Sequence, residues 1–314
     1  MPTWDNRYRD RLKLLVQILP VLDREPRFAL KGGTAINLYE HDLPRLSVDI
    51  DLTWLPVRDF DTDTREIAEA LQSIATRLSA PPLRLNVRAS APEGARSITR
   101  LIASRGRAQV QIETTPVMRG SVHPIRRMDV RPGVERHFGS AQVQVLHFAD
   151  LYAGKLTAAL SRQHPRDLFD INLLLRQQGI DSTLWRTFLV YLTCSPKPAP
   201  EILIPNEPRD FAVVFDAQFR GMTTEPVTAE GLLAARRTLL DLISELLDAP
   251  TRAFLESVER EAPDFSLIEL PHAAELPGVK RKMQNLARRS PEKRDADYRQ
   301  LADTLDRIGR KEIQ

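Results

Sequence analysis

The chain has 314 residues, 42% of them hydrophobic, with 45 lysines and arginines against 42 aspartates and glutamates and a formal net charge of +3. That length and hydrophobic content suit about two domains with a sizeable core and exclude a disordered chain. The single cysteine, Cys194, excludes an internal disulfide and a cysteine-based zinc site. No uninterrupted apolar run reaches the roughly 18 residues of a membrane span. The opening MPTWDNRYRDRLKLLVQ intersperses charge where a signal peptide would hold an apolar stretch. The expected home is a reducing cytoplasm, away from membranes. With so small a net charge at a pI of about 9.1, nucleic-acid binding would have to come from local basic patches.

In chain order, residues 11–22 read as an amphipathic helix covering a sheet. Phe28-Ala29-Leu30 is a short apolar strand, Gly32-Gly33 a turn, and Thr34 to Tyr39 a helix start. Glycines let a backbone approach a ligand, and a helix N-terminus offers free N–H groups to phosphate oxygens. Thr34 can cap that helix. Neither the P-loop pattern nor GxGxxG is present, and a GG pair alone equally suits an ordinary strand–turn–helix junction. Val48 to Leu52 alternates apolar and acidic residues, as a strand does. Asp49 and Asp51 therefore share one face. Two such carboxylates repel each other, and a hard divalent cation relieves the repulsion; the bland reading is a strand with one solvated face.

A helix follows near 64–79, with Ile67, Leu71, Ile74 and Leu78 as its apolar face, then strands near 83–89, 98–104, 108–114 and 142–146. Helices fill 148–193. In the first, Lys155, Ala159 and Arg162 fall on one face. Pro165 suits the first turn of the next, in which Leu168, Ile171 and Leu175 form an apolar stripe while Asp167 and Asp170 lie on another face. That charged face admits a nucleotide site or an interhelical ion pair. The Pro-rich stretch 195–208 reads as a boundary or stiff linker, and further helices are expected near 227–247, 250–262 and 294–309. The domains expected are an α/β unit over 1–147, a helical extension over 148–194 and a helical C-terminal domain over 195–314.

Lys31-Gly32-Gly33-Thr34, then Arg45-Leu46-Ser47-Val48-Asp49-Ile50-Asp51-Leu52, then the Lys155–Arg162 helix and Pro165-Arg166-Asp167-Leu168-Phe169-Asp170-Ile171 stand in order along the chain. Together they resemble the nucleotidyltransferase superfamily and, within it, the AbiEii/MenT-type nucleotidyltransferase toxins, over roughly residues 25 to 180. The resemblance implies an α/β (α+β) fold, with a nucleotidyltransferase-like mixed sheet and a helical C-terminal part. It implies an NTP substrate and two Mg²⁺ ions, with Mn²⁺ as a substitute, held by Asp49 and Asp51. A third carboxylate is expected on a neighbouring strand, and Glu113 in the alternating run 108–113 is the candidate, although many superfamily members use aspartate there. The catalytic set carried over is Asp49, Asp51, Glu113, Lys155 and Asp167. The nucleotide-binding set is Lys31, Gly32, Gly33, Thr34, Ser47, Lys155, Arg166 and Asp170. A phosphate on Ser47 would repel Asp49 and an incoming triphosphate.

The implied acceptor is the 3′ end of tRNA, with translation inhibited as a result, and the implied partner is an antitoxin. Basic clusters follow the Glu113 strand (Arg119, Arg126, Arg127, Arg131 and Arg136) and lie near the C-terminus (Lys280, Arg281, Lys282, Arg288, Arg289, Lys293 and Arg294). They suit a phosphate backbone, with Arg126, Arg127, Arg131, Lys280, Arg281 and Lys282 as RNA-binding candidates. Three other readings stay open: nucleotidylation of a protein, a DxD glycosyltransferase using a nucleotide-sugar, and a non-catalytic RNA-binding module.

Overall fold

The computed structural model describes residues 6–91 and 97–310. The chain forms two compact units, Met1–Leu151 with Gly221–Pro226, and Tyr152–Arg220 with Val227–Gln314. Among the described residues no helix is long and apolar enough to cross a membrane.

The first unit is a seven-stranded mixed sheet with helices. Its strands are β1 (Phe28–Lys31), β2 (Asp49–Trp54), β3 (Asn86–Ser90), β4 (Arg100–Arg105), β5 (Ala108–Thr114), β6 (Arg126–Asp129) and β7 (Gln142–Val145), in the order β3-β4-β5-β2-β1-β7-β6. β2 runs parallel to β5 and β1 parallel to β7; the other pairs are antiparallel. The period-2 pattern holds in the centre, where Ile50, Leu52, Val110 and Ile112 are buried. α1 (Asn6–Leu22) buries Leu12, Leu15, Ile18, Leu19 and Leu22 at helical spacing. α2 (Gly32–Ala35) continues into a π-helical turn, Ile36–Glu40. α3 (Phe60–Ser79) buries Ile67, Leu71, Ile74 and Leu78, and the Asp59 side chain caps it by accepting from the Thr62 N–H. α4 (Pro132–Phe138) and the first turn of α5 (Phe148–Arg162) complete the unit.

The same unit takes back a short stretch from far along the chain. Leu46 N–H donates to the Met222 carbonyl (2.9 Å) and Thr224 N–H to that of Pro44 (2.9 Å), with Arg45 opposite Thr223 in an antiparallel bridge. Two backbone bonds therefore pin the segment that leads into β2.

The second unit is helical: the rest of α5, α6 (Pro165–Gln177), α7 (Ser182–Thr193), α8 (Ala199–Leu203), α9 (Phe211–Gln218), α10 (Ala229–Leu246), α11 (Ala249–Glu259), α12 (Pro277–Ala287) and α13 (Pro291–Gly309). Side chains of His164, Asp181, Thr228, Asp248 and Ser290 accept from N-terminal amides of α6, α7, α10, α11 and α13. α10 packs along α6.

The sequence reading differs from the structure at several places. The Pro-rich stretch is not a boundary between the units: it holds α8, whose Ile202 and Leu203 are buried. Pro198 and Pro200 stand at the cap and in the first turn of that helix, where a missing N–H costs nothing. β6 was not expected, because its Arg-Arg-Met-Asp sequence lacks apolar alternation; it lies at the sheet edge. On α6 the buried stripe is Leu168, Ile171 and Leu174 rather than Leu175, and Asp167 and Asp170 are buried with it.

Candidate active site

In the first unit the strand register gathers the acids. β2 pairs with β5 so that Asp49 stands opposite Gln111 and Asp51 opposite Glu113; β1 places Lys31 opposite Asp51. Partners opposite each other across a ladder share a face of the sheet. Asp49, Asp51, Glu113 and Lys31 thus belong to one face, with Asp49 exposed and the other three half-buried. Burial lowers the Lys31 pKa, and the Asp51 charge pulls it back up. Glu113 Oε1 accepts from Gln111 Nε2 (2.6 Å) and pairs with Arg100, which stands opposite it on β4. Arg100 carries no sequence signal, since its place beside Glu113 arises only from pairing between strands.

The glycine turn is fitted to this face. Gly32 has φ +73°, and a Cβ there would lie 2.3 Å from Asp51 Oδ2. Only glycine lets the turn pass so close to the carboxylate. A Cβ on Gly33 would meet Arg45 Nη2 at 2.9 Å and Ser47 Oγ at 3.0 Å. Thr34 is fully buried; its Oγ1 donates to the Asp49 carbonyl (2.5 Å) and lies 3.0 Å from Ser47 Oγ. Asn37 Nδ2 donates to the Gly33 carbonyl (2.8 Å), and the buried Arg45 donates to that of Leu46 (2.8 Å). The turn, Ser47 and the start of β2 are therefore one bonded assembly. Three carboxylates on one sheet face, with Asp51 set against a turn that has no room for a methyl, are an all-oxygen set that suits a hard divalent cation.

In the second unit, Lys155 Nζ lies 3.0 Å from Asp167 Oδ1 and 2.9 Å from Asp170 Oδ2. Arg162 Nε and Nη2 both donate to Asp167, at 2.5 and 3.0 Å. Lys155, Asp167 and Asp170 are all at most 7% exposed. Burial would raise the Asp167 pKa, but the Lys155 charge and the Arg162 hydrogen bonds outweigh it and hold the carboxyl well below the usual range. Of the two readings of this face, the interhelical ion pair is present, as a buried ionic cluster. Arg166, next to it in sequence, is exposed, and its backbone N–H donates to His164 Nδ1 (3.1 Å).

The basic candidates divide by burial. Arg131 and Arg281 are exposed. Arg126 pairs with Glu40, Arg127 with Asp23 (2.5 Å) and Lys280 with Glu275 (2.6 Å). Arg119 is buried and paired with the fully buried Asp63. Lys282 is only 8% exposed, with Nζ 3.5 Å from the Ser195 carbonyl, so it is an interior residue of α12 and not a surface cation.

A family model described as "Nucleotidyl transferase AbiEii toxin, Type IV TA system" matches residues 13–304. Among solved structures, the chain is similar to MenT4, a nucleotidyltransferase toxin from Mycobacterium tuberculosis H37Rv. The match has a TM-score of 0.58 and 16% identity, and it covers 89% of this chain and 93% of that one. At that identity it supports the fold. No curated protein matches the sequence.

Proposed function

The chain belongs to the AbiEii nucleotidyltransferase toxin family of type IV toxin–antitoxin systems, and from that premise we propose that it transfers a nucleoside monophosphate from an NTP to the 3′ end of tRNA, releasing pyrophosphate and inhibiting translation. The observation that supports this reading is the register of Asp49, Asp51 and Glu113 on one sheet face beside the Gly32-Gly33 turn. Asp49, Asp51 and Glu113 would hold Mg²⁺, which supplies charge neutralisation for the triphosphate and activation of the acceptor hydroxyl.

The residues' own roles follow from their chemistry. Thr34 and Ser47 hydroxyls and the amides of the glycine turn can donate to triphosphate oxygens. Lys31 adds a short-range cation. Glu113 is the candidate to take the proton of the attacking hydroxyl, once Arg100 no longer occupies it. The second unit's share is proposed on sequence motif alone: Lys155, Asp167, Arg166 and Asp170 serve the nucleotide. A cognate antitoxin is the partner that a type IV system requires.

The test incubates purified protein with total tRNA, Mg²⁺ and each α-labelled NTP in turn, beside Asp49→Ala. Label on tRNA with the intact protein only is expected. Label on protein instead would move the acceptor to a polypeptide, and no label with either acceptor would count against transfer. Expression of Asp49→Ala, an exposed position whose change leaves the core intact, is expected to relieve growth inhibition.

A further inference from the structure

A second cluster of ligating side chains lies in the first unit, apart from the aspartates of β2. His123 is in the connection between β5 and β6, His147 lies in the short junction between β7 and α5, and Asp150 is in the first turn of α5. One ligand atom from each, a ring nitrogen or a carboxylate oxygen, lies within 4.8 Å of the others. The two imidazole rings are 4.8 Å apart between centroids. Both histidines are half-buried, and Asp150 is 1% exposed.

We propose that His123, His147 and Asp150 form a site for a borderline divalent transition metal of the zinc type, with a water molecule as fourth ligand. Two imidazoles and one carboxylate are a recurrent zinc donor set, whereas the all-oxygen set of Asp49, Asp51 and Glu113 suits Mg²⁺. Donors on a tetrahedral zinc with bonds of about 2.0–2.1 Å stand roughly 3.3 Å apart. Closing the cluster onto an ion therefore needs rotations of the two half-buried rings, while the carboxylate stays fixed. Asp150 is already held: Oδ1 accepts from the Val122 N–H (2.8 Å) and Oδ2 from that of His123 (3.0 Å). Such outer bonds orient a ligating carboxylate, and each oxygen keeps a further lone pair.

The charges nearby are compatible with a cation. Arg126 is the adjacent guanidinium, and it is paired with Glu40. One interaction opposes the metal. His147 Nδ1 accepts from the Ala149 N–H (3.2 Å), so the neutral ring carries its proton on Nε2. Binding at Nδ1 displaces the cap directly, and binding at Nε2 moves the ring proton to Nδ1 and so ends the cap as well. A neutral hydrogen bond of this length is worth far less than a metal–imidazole bond.

The ion would tie the 121–125 connection to the β7–α5 junction. β7 is the parallel neighbour of β1, and the Leu146 N–H donates to the Leu30 carbonyl (3.0 Å), two residues before Gly32. A staple at this junction would brace the strand end that carries the glycine turn.

The test uses full-length protein stripped with chelator and dialysed, then titrated with Zn²⁺ alone by calorimetry and followed by thermal unfolding. One equivalent is expected to bind and raise the Tm. His123→Gln, and His147→Asn with its retained cap acceptor, are each expected to weaken binding by more than the roughly 10–100-fold that outer-shell changes cost. Asp49→Ala should keep the equivalent, which separates this site from the proposed Mg²⁺ face. No Zn²⁺ binding by the intact protein, or unchanged binding by both histidine variants, overturns the proposal. If a variant unfolds, X-ray absorption of the zinc-loaded intact protein decides: imidazole nitrogens in the inner shell support the site, and their absence overturns it.

Discussion

Gly32 decides how close the turn comes to Asp51. An alanine there would place its Cβ 2.3 Å from Asp51 Oδ2 at a φ of +73°, so it must both strain the backbone and displace the carboxylate. Gly32→Ala is expected to fold and to lose nucleotide transfer by about 100-fold or more, the scale of a 1 Å misplacement; circular dichroism beside the labelled-NTP assay checks both halves. Asp167 gives a pH-dependent counterpart. Its folded pKa is depressed, despite the burial that alone would raise it, by Lys155 and Arg162. Its contribution to stability is complete above the ordinary aspartate range and is lost as pH falls below about 4. The urea midpoints of the wild type and Asp167→Asn should therefore differ at pH 7 and converge as the pH drops; a gap that stays constant would count against the depressed carboxyl. Both positions stood out in the sequence for their motif. The reason Gly32 must be glycine did not, because it depends on an atom 19 residues away.

At the scale of elements, α5 and α6 are joined by the cluster of Lys155, Arg162, Asp167 and Asp170. Removing Lys155 would leave Asp167 and Asp170, 2% and 0% exposed, without their shared cation. Lys155→Ala is expected to destabilise the protein by about 3–5 kcal/mol, the cost of breaking a buried pair from one side. Adding Asp170→Asn should recover part of that loss in urea unfolding. Loss of growth inhibition by Lys155→Ala alone would consequently not assign Lys155 to the nucleotide, whereas Asp49→Ala, at an exposed position, strands no buried charge. The elements themselves were largely readable. Strong periodicity located α1, α3 and β5, and glycine and proline punctuated β1 and α6. What periodicity could not show was depth. On α6 the acids at i and i+3 are buried, because a lysine and an arginine from α5 pair with them. β6 escaped notice because an edge strand can be built from Arg126, Arg127, Met128 and Asp129 when only one side of it pairs.

At the scale of the whole molecule, the chain leaves the first unit at Leu151, returns for Gly221–Pro226 and leaves again. No sequence pattern marks that return: Met222-Thr223-Thr224 is too short for a period, and its partner lies about 180 residues earlier. The Pro-rich stretch 195–208 was the visible punctuation, and it proved to start a helix. The return bears on the proposed nucleotide site through what it holds. Met222 and Thr224 bond the backbone of Leu46 and Pro44. The same segment carries Arg45 and Ser47, the two side chains packed against Gly33. Proline at 224 removes the N–H that donates to Pro44, a loss of about 1 kcal/mol in stability. Its larger effect should be on the nucleotide. With the segment less constrained, Ser47 no longer meets the turn in one fixed geometry, and ordering it becomes part of the cost of binding. Thr224→Pro is therefore expected to raise the KM for NTP several-fold with little change in kcat, since the carboxylates on β2 and β5 keep their register. Thr224→Ala, which loses only the hydroxyl bond to the Pro44 carbonyl, should lie close to wild type. Equal KM values for all three proteins would mean that the returning segment holds the fold without shaping the turn.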